Sequence, residues 1–346
     1  MIAYQTTEPG APLTKVETET PAPTGTQVLL KMVACGVCHS DIHLHDGAFE
    51  LGNGKQLDVA QKGQTLGHEI FGEVVAAGPD VDGVAVCDRR VVYPWIGCGE
   101  CAACQRGDEH LCTPGRALGI ARPGGFADHV LVPHSRYLFD KGAVSDSLAA
   151  TYACSGLTAY GALNKVGDLG PLDKVVIIGA GGVGMMAIQI AISVFGINPI
   201  VVDIDDSKLE AARQLGAEAT YNSSDPQTAK EIRKATGGAY AALDFVGAEA
   251  SVNYGLGCLR KGGKLILVGL YGGSLTIPIP FIPMNARIIH GSYVGTLQEM
   301  GELMALVRDG KIAPIDIQER PLAEATNALA DLKAGKVRGR QVLVNS

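Results

Sequence analysis

The feature that most limits how this chain of 346 residues can fold is a glycine-rich turn between an apolar strand and an apolar helix. The turn follows a predicted strand over 175–178 and opens a predicted helix over 183–195. In such a turn the first glycine permits a tight bend, the second lets the backbone approach a pyrophosphate, and the third lets helix and strand pack closely. The free amides at the start of the helix then face the phosphates. A purely structural turn is the alternative, but this context favours a dinucleotide site formed by Gly179, Gly181, Gly182, Val183 and Gly184.

The sequence around this turn alternates between strand and helix patterns. Further strands are predicted over 199–202, 241–245 and 264–268, and a helix over 207–215 that ends at Gly216. This alternation is typical of a parallel sheet covered by helices, the doubly wound α/β class. The first third of the chain instead has short β-prone runs punctuated by prolines, which predicts a second, β-rich domain.

An acidic residue ends the strand that follows the glycine turn. Asp203 stands about twenty residues beyond the glycines, where a carboxylate accepts hydrogen bonds from the ribose hydroxyls of NAD and repels the 2′-phosphate of NADP. We therefore expect NAD as the cofactor. Lys208, early in the next helix, either reaches the ribose or is merely solvated. Further candidates for cofactor contacts lie at the ends of the strands predicted over 241–245 and 264–268. They are Val246, Val268 and Gly269.

Four cysteines within fifteen residues form a second constraint on the fold. Cys98, Cys101, Cys104 and Cys112 have the spacing Cys-x2-Cys-x2-Cys-x7-Cys, which suits a tetrahedral zinc held by a loop. An iron–sulfur cluster is the main alternative, but its usual run has the fourth cysteine after three residues and before a proline, whereas Thr113 follows here. Disulfides are the remaining alternative. Four thiolates would fill the coordination sphere, so this metal would hold a lobe over about residues 95–113 and take no part in the chemistry.

Charge and composition exclude several classes of function. The net charge is −7, which argues against a nucleic-acid-binding surface. The run 175–202 has no charged residue and is long enough to span a membrane, but the glycine turn and Asn198-Pro199 interrupt it. Residues 1–5 show no basic region before an apolar stretch, so we expect no signal peptide and a reducing cytoplasm that keeps cysteines as thiols.

A second set of candidate metal ligands is spread along the chain. Cys38, His68 and Cys154 could hold a catalytic zinc and leave its fourth position open. Further polar residues lie next to Cys38 and His68 in the sequence, in the motifs Cys38-His39-Ser40-Asp41 and Gly67-His68-Glu69. A lone cysteine or histidine is more often structural, and spacing alone leaves open whether these three converge.

The two polar motifs, the four-cysteine lobe and the glycine turn occur in the order seen in zinc-dependent medium-chain alcohol dehydrogenases, which this chain resembles over essentially its whole length. The resemblance implies a β-rich GroES-like catalytic domain over 1–152 that contains the structural zinc lobe. It implies an NAD-binding Rossmann domain over 153–286, with a doubly wound parallel sheet. A C-terminal segment over 287–346 would complete the catalytic domain.

The resemblance also implies a role for each residue of the second set. A catalytic zinc would be held by Cys38, His68 and Cys154, with Glu69 close behind it. Asp41 would hydrogen-bond the ligand histidine and so fix its tautomer. The remaining implied roles fall to Ser40, which would receive the substrate proton, to His43 at the outer end of the proton relay, and to His39 and Arg340 at the cofactor pyrophosphate.

Several cysteines distinguish this chain within the family. Polyol dehydrogenases similar to it usually have glutamate at position 154, so Cys154 favours the alcohol dehydrogenase form. Cys87 stands where a glycine usually precedes the pair Asp88-Arg89. We expect Cys35, Cys87 and Cys258 to be small buried residues.

Two further features concern the substrate pocket. The stretch 47–64 is longer than in the compact family members, which implies a pocket reshaped by this loop. Trp95 matches a position that often lines the pocket, and packing in the core or against the lobe is an equal alternative. Lys55, Lys62 and Arg116 could meet phosphates of a large substrate, although such charges are more often solvated surface.

The implied function is reversible oxidation of a primary or secondary alcohol by NAD, with two zinc ions per subunit in a homotetramer. A hydroxyl on a larger molecule such as a hydroxyacyl-CoA is an alternative substrate. A zinc-free quinone or enoyl reductase of the same superfamily would lack both ligand sets. A non-enzymatic nucleotide-binding scaffold would tolerate loss of Ser40, His43 and Cys154, yet all three are present.

Overall fold

A computed structural model of the chain describes residues 1–225 and 227–345, which fall into two compact units. The first unit comprises Met1–Ala48, Asp58–Leu157 and the chain from Thr296 onward, and the second comprises Phe49–Leu57 and Thr158–Gly295. The boundaries predicted after residues 152 and 286 lie slightly earlier than these. The helical stretch that starts at Asp146 continues without a break to Asn164, so the first boundary falls inside it.

Strands make up the sheets of both units. In chain order they are β1 (Ile2–Gln5), β2 (Thr14–Glu17), β3 (Val28–Gly36), β4 (Ala48–Gly52), β5 (Lys55–Asp58), β6 (Glu69–Ala77), β7 (Arg89–Val92), β8 (His129–Val132), β9 (Leu138–Phe139), β10 (Val175–Ile178), β11 (Ile200–Asp203), β12 (Ala219–Asn222), β13 (Ala239–Asp244), β14 (Leu259–Leu267), β15 (Ile288–Gly291), β16 (Ile317–Pro321) and β17 (Arg340–Val344).

Helices lie between these strands along the chain. In order they are α1 (His39–Asp46), α2 (Ala102–Gln105), α3 (Asp146–Thr151), α4 (Leu157–Asn164), α5 (Gly182–Ser193), α6 (Asp206–Leu215), α7 (Thr228–Thr236), α8 (Glu249–Cys258), α9 (Phe281–Asn285), α10 (Leu297–Arg308) and α11 (Ala325–Lys333). A π-helical turn, Tyr152–Gly156, joins α3 to α4. None of the helices in residues 1–225 and 227–345 is both long and apolar enough to cross a membrane.

The first unit is built on a mainly antiparallel sheet with the strand order β16-β17-β3-β6-β7-β9, and β8 also pairs with β3. Its long central strands β3 and β6 are mostly buried and run antiparallel. In their register Gly36 pairs with Glu69, so the end of β3 lies beside the start of β6. Ser145 caps the start of α3, where its hydroxyl accepts a hydrogen bond from the Leu148 amide at 3.4 Å.

The second unit contains a six-stranded parallel sheet with the order β12-β11-β10-β13-β14-β15. The chain runs outward from β10 to β12 and then crosses to β13, so the strand order reverses between β10 and β13. In sheets of this kind ligands bind beyond the carboxyl ends of the strands at such a reversal. β10 is buried along its whole length, as the predicted apolar strand required, and the predicted doubly wound α/β class is confirmed.

The stretch 47–64 contains a two-stranded hairpin, β4–β5, most of which belongs to the second unit. Its turn residues Asn53 and Gly54 both have positive φ, at 53° and 73°, as a two-residue hairpin turn requires. Asn53 Nδ2 donates to Ser274 Oγ at 3.2 Å and so joins the hairpin tip to the loop after β14. Whether this hairpin reshapes a substrate pocket stays a prediction.

The prediction that three cysteines are buried is wrong for one of them. Cys35 and Cys258 are fully buried, as expected. Cys87 is exposed, and its φ of 74° lies in the left-handed region. The turn before β7 reverses the chain at the surface, where a glycine would be easier to accommodate, and this turn places the thiol in solvent.

Candidate active site and zinc centres

The four-cysteine lobe brings its sulfur atoms to the spacing of a tetrahedral zinc site. Sγ–Sγ distances are 3.5 Å between Cys101 and Cys104, 3.8 Å between Cys101 and Cys112, and 3.9 Å between Cys98 and Cys104. Ligands of a tetrahedral zinc with Zn–S bonds of about 2.3 Å stand about 3.8 Å apart. Backbone amides of Glu100 and Cys101 donate to Cys98 Sγ at 3.4 and 3.3 Å, which stabilises a thiolate there. The four residues therefore fit zinc as a complete ligand set.

The surroundings of this lobe carry an excess of positive charge. A cavity of about 170 Å³ beside Cys98 is lined by Arg116, Arg122 and Arg136 among other residues. Within the part of the chain that the structure describes, Glu109 is the one carboxylate that forms an ion pair with any of these arginines, at 2.9 Å from Arg136. Zinc with four thiolates carries two net negative charges. The guanidinium groups of Arg116 and Arg122 therefore lie on the same side of the lobe as Cys98, where a positive charge is compatible with thiolate ligands.

The predicted catalytic ligands, which sequence spacing could not bring together, converge in the structure. Side-chain donor atoms of Cys38, His68, Glu69 and Cys154 all lie within 4.8 Å of one another, and all four residues are buried. The antiparallel register explains half of this cluster, because Cys38 comes just after β3 and His68 just before β6. The π-helical turn Tyr152–Gly156 supplies Cys154. Such turns are frequent at functional sites.

Asp41 organises the backbone and the ring beneath this cluster. Its carboxylate accepts hydrogen bonds from the amides of Cys38 at 2.9 Å and Gly67 at 3.2 Å. The same group lies 3.2 Å from His68 Nδ1, with both side chains fully buried. Neither ring nitrogen of His68 has a hydrogen-bond partner among residues 1–225 and 227–345, so the Asp41 contact at Nδ1 is a close approach of charges. Nε2, on the opposite side of the ring, is available to a metal, and a carboxylate beside Nδ1 is common in histidine ligands of zinc.

Negative charge in the cluster lies on Cys38 and not on Cys154, whose pKa is raised well above its ordinary value by its hydrogen bond with Cys38 and by burial. A hydrogen bond with Cys154, together with interactions with His68 and Arg340, lowers the pKa of Cys38 well below its ordinary value, despite burial. A thiolate is the form of cysteine that binds zinc. Burial would lower the pKa of His68, but Asp41 and Cys38 outweigh it and raise that pKa. A dication bound in the cluster would therefore displace the protons of His68 and Cys154 and take over the compensation of the Cys38 and Asp41 charges.

Glu69 sits in the same cluster but is held by an arginine. Arg340 Nη2 donates to both carboxylate oxygens of Glu69 at 2.6 Å and to the Val37 carbonyl at 3.1 Å. Both side chains are buried. Burial raises the pKa of Glu69 to about 7, against the opposing effect of Arg340. Removing one partner of such a buried pair lowers the free energy of unfolding by about 3–5 kcal/mol. The pair therefore holds the Glu69 carboxylate in place beside the candidate zinc ligands. The contact of Arg340 with the cofactor pyrophosphate stays a prediction.

The predicted proton relay starts on α1, directly after Cys38. Ser40 and His43 are half-buried there, and His39 is exposed. Burial, with a contribution from His39, lowers the pKa of His43 below its ordinary value of 6.5. A neutral imidazole at neutral pH can accept a proton, so the residue types and their exposure suit a relay. Their roles remain predictions.

The glycine turn of the second unit has the form that a dinucleotide site requires. Gly179 has a φ of 90°, and a Cβ on Gly184 would collide with the Gly179 carbonyl oxygen. At Gly181 no described residue lies within 4 Å of the position that a Cβ would take. The start of α5 has no side-chain cap among the described residues, and its amides stay available to a ligand. The turn therefore offers the open backbone cradle that a pyrophosphate needs.

Asp203 ends β11 beside this turn. Its carboxylate accepts hydrogen bonds from the amides of Ala180 at 2.7 Å and Asp205 at 3.0 Å. Lys208 Nζ lies 4.0 Å from Asp203 Oδ1, which is the limit of an ion pair. The acid therefore fixes the loop and faces the same edge of the sheet as the glycines, as the predicted ribose contact requires.

Asp244 is a site residue that the sequence analysis missed. It ends β13 fully buried, and its side chain accepts hydrogen bonds from Val246 N at 2.9 Å and Ser251 Oγ at 2.7 Å. Its own carbonyl accepts from Val268 N and Gly269 N at 2.9 and 3.0 Å. Asp244 therefore holds the backbone at Val246, Val268 and Gly269, the three residues predicted to contact the cofactor after the later strands. The signal was present as an acid at the end of an apolar strand, the same pattern that identified Asp203.

Comparisons with known proteins agree with both sites. The family model of the alcohol dehydrogenase GroES-like domain matches residues 24–141, and that of the zinc-binding dehydrogenase matches residues 182–309. A relative from Sulfurisphaera tokodaii, an NAD-dependent alcohol dehydrogenase, is 41% identical over 99% of this chain and 100% of its own.

Solved structures extend the likeness to the fold. The alcohol dehydrogenase of the hyperthermophilic archaeon Aeropyrum pernix has a TM-score of 0.88 at 30% identity, over 99% of this chain and 100% of its own. A cobalt- and zinc-bound thermostable alcohol dehydrogenase from Pyrobaculum aerophilum has a TM-score of 0.86 at 27% identity, over 99% of each chain. Full-length identity to the relatives, two converged cysteine-containing ligand sets and the glycine turn lead to one conclusion: the chain belongs to the zinc-dependent medium-chain alcohol dehydrogenases.

Proposed function

We propose that this protein uses zinc and NAD to oxidise a primary or secondary alcohol reversibly to an aldehyde or ketone. The observation that carries the proposal is the convergence of Cys38, His68 and Cys154 in one buried cluster. Three protein ligands with a fourth position left for substrate is the pattern of a catalytic zinc, in contrast to the filled four-cysteine lobe.

The residues of the cluster would hold the catalytic zinc in a fixed, dry environment. When bound, zinc acts as a Lewis acid that lowers the pKa of an alcohol and stabilises negative charge on its oxygen. Asp41 holds the His68 ring in one orientation through Nδ1. Arg340 neutralises Glu69 behind the cluster, so the carboxylate is kept in place without a free charge.

The proton would leave through α1. Ser40 carries a hydroxyl that can accept a proton and donate its own, and His43 on the next turn of the same helix can take the proton onward. The lowered pKa of His43 keeps its imidazole neutral and able to accept at neutral pH. His43 then releases the proton to water.

The second unit would bind NAD along the carboxyl edge of its sheet. NAD, when bound, supplies the nicotinamide that accepts the hydride. The open backbone at Gly181 and the first amides of α5 suit the pyrophosphate, and Asp203 suits the ribose hydroxyls.

The experiment that tests this function is a screen of NADH formation over alcohols of graded size, including hydroxyacyl thioesters. We expect turnover with small primary or secondary alcohols and none with thioesters, because Lys55, Lys62 and Arg116 are exposed side chains, as solvated surface charges are. Turnover with hydroxyacyl thioesters alone would favour the alternative substrate. Absence of NADH formation with every alcohol would contradict the proposal.

We also propose a homotetramer in a reducing cytoplasm. β15, the last strand of the parallel sheet, is exposed along its length, and Ile279, Met284 and Ile288 near it are exposed apolar residues. An unpaired apolar sheet edge is a surface that a second copy of the chain can cover. None of the nine cysteines, all of which lie within the described residues, forms a disulfide, and this suits a reducing compartment. Light scattering would test the tetramer.

A further inference from the structure

Trp95, the single tryptophan of the chain, contacts the His68 ring and the Ala153 carbonyl, which directly precedes Cys154. It is 3% exposed. Its indole Nε1 donates a hydrogen bond to the Ala153 carbonyl at 3.0 Å, and Ala153 directly precedes Cys154. Its ring lies against the His68 ring, with centroids 5.3 Å apart and planes tilted by 54°. One side chain therefore touches a ligand ring and the peptide that carries a second ligand.

The carbonyl that Trp95 binds belongs to an irregular part of the backbone. In a regular α-helix the Leu157 amide would donate to the Ala153 carbonyl. Here that amide bonds to the carbonyls of Cys154 and Tyr152 instead, which is the π-helical pattern. The indole N–H thus reaches the carbonyl that the Leu157 amide bypasses. A π turn is held by such outside contacts more than by its own hydrogen bonds.

We infer that Trp95 is a positioning residue of the catalytic zinc centre. Its N–H fixes the peptide before Cys154, and its ring face limits the tilt of His68. This inference rests on the proposed function, since it requires zinc bound by Cys38, His68 and Cys154. It differs from a role as a pocket wall, because a wall residue would alter which alcohols react and leave zinc retention unchanged.

Zinc retention measured with a chromogenic chelator tests the inference. Two variants separate the contacts: Trp95→Phe keeps a ring against His68 and loses the N–H, and Trp95→Leu loses both. We expect the catalytic zinc to leave about 10-fold faster from Trp95→Phe and up to about 100-fold faster from Trp95→Leu, the range found when groups that orient zinc ligands are removed. The structural zinc should keep its wild-type rate of release.

A matched control and a spectroscopic readout accompany this measurement. Tyr254→Phe also removes one aromatic hydrogen bond, that to Thr228 Oγ1 at 2.8 Å, but in the second unit, and should leave both zinc phases unchanged. With cobalt in the catalytic site, the visible absorption bands should shift in Trp95→Phe and stay unchanged in Tyr254→Phe. In the wild type, removal of the catalytic zinc should also change the fluorescence of the single tryptophan. This change should have the same rate as the release of that zinc.

The outcomes distinguish failure of the inference from failure of the proposed function. Wild-type rates and an unchanged cobalt spectrum in both Trp95 variants would overturn the inference. Equal acceleration of both zinc phases with a lower melting temperature would also overturn it, because Trp95 would then serve general stability. A wild-type protein that releases only one class of zinc would instead contradict the proposed function.

Discussion

The buried charged residues Asp41, Glu69 and Arg340 lie at the catalytic cluster and are held there by short contacts. Asp41 holds the Cys38 amide and the His68 ring, and Arg340 holds Glu69. An unpaired buried charge would be strongly unfavourable, so these contacts leave few alternative arrangements of the side chains. At the scale of single residues, therefore, the site is rigid before any metal binds.

Asp203 gives the first prediction at this scale. Asp203→Gly removes the carboxylate that would bind the ribose hydroxyls and repel a 2′-phosphate. Hydrogen bonds to a charged group contribute about 1.5–3 kcal/mol, so the ratio of kcat/KM for NADP to that for NAD should rise about 10- to 100-fold. Steady-state kinetics with both cofactors measures this ratio. An unchanged ratio would mean that Asp203 serves only its amide contacts with Ala180 and Asp205.

His43 gives a prediction about pH. Burial and His39 lower its pKa below 6.5, although Asp46, Cys38 and a hydrogen bond with the Ala48 backbone act in the opposite direction. The imidazole should therefore titrate below pH 6.5 in a nuclear magnetic resonance titration of the folded protein. In the window just below pH 6.5 the unfolded chain binds the proton more readily than the folded one, so stability falls as the pH is lowered. His43→Gln should remove this component, and a midpoint at or above 6.5 in the wild type would contradict the assignment.

The elements that carry candidate site residues include two short departures from regular structure: the glycine turn before α5 and the π turn after α3. In the glycine turn, two glycines are needed for different reasons. Gly184 packs against the Gly179 carbonyl oxygen, so a larger residue there disturbs the fold itself. Gly181 has an ordinary φ of −74° and open space around it, so a larger residue there fits the fold and occupies the cofactor's place.

Paired substitutions test this distinction. Gly181→Val should leave the melting temperature near that of the wild type and weaken NAD binding by about 10-fold or more, because the new side chain fills the space expected for the pyrophosphate. Gly184→Ala should instead lower the melting temperature, since its Cβ meets backbone that cannot move freely. Calorimetry of unfolding and of NAD binding measures both effects. If Gly181→Val bound NAD as the wild type does, the pyrophosphate would lie elsewhere.

Sequence reasoning identified the elements with local signals and missed those that depend on contacts between distant residues. The strands β10 and β11 and helices α5 and α6 were predictable, because apolar periodicity, glycine and proline act locally. The Asn53-Gly54 turn carries a local signal for a hairpin, but the prediction of only a long loop over 47–64 missed it. The π turn that carries Cys154 has no such signal, since its shape depends on partners such as Trp95.

Convergence of the catalytic ligands also lay beyond local patterns. Cys38 and His68 meet because β3 and β6 pair with Gly36 opposite Glu69, and no local feature specifies that register. Family resemblance gave the ligand set where spacing left it open. Cys87 was misjudged because hydrophobicity predicts burial of a cysteine on average, whereas its turn determines its exposure.

At the scale of the whole molecule, the chain has two sets of zinc ligands with different roles. The four-cysteine lobe is closed by its own ligands and partly exposed, so its zinc would stabilise a loop. The cluster of Cys38, His68 and Cys154 is buried and joins three separate parts of the sequence, so its zinc would serve the reaction. The division of roles predicts that loss of one metal damages stability and loss of the other damages turnover.

Zinc content per subunit, measured together with turnover and melting temperature, tests this division most directly. The wild type should hold about two zinc ions. His68→Ala should hold about one, lose turnover and still bind NAD. Cys101→Ser should also hold about one, but with a clearly lower melting temperature. A wild type with a single zinc, or a His68→Ala variant that keeps about two zinc ions and full activity, would contradict the central claim that Cys38, His68 and Cys154 hold a catalytic zinc.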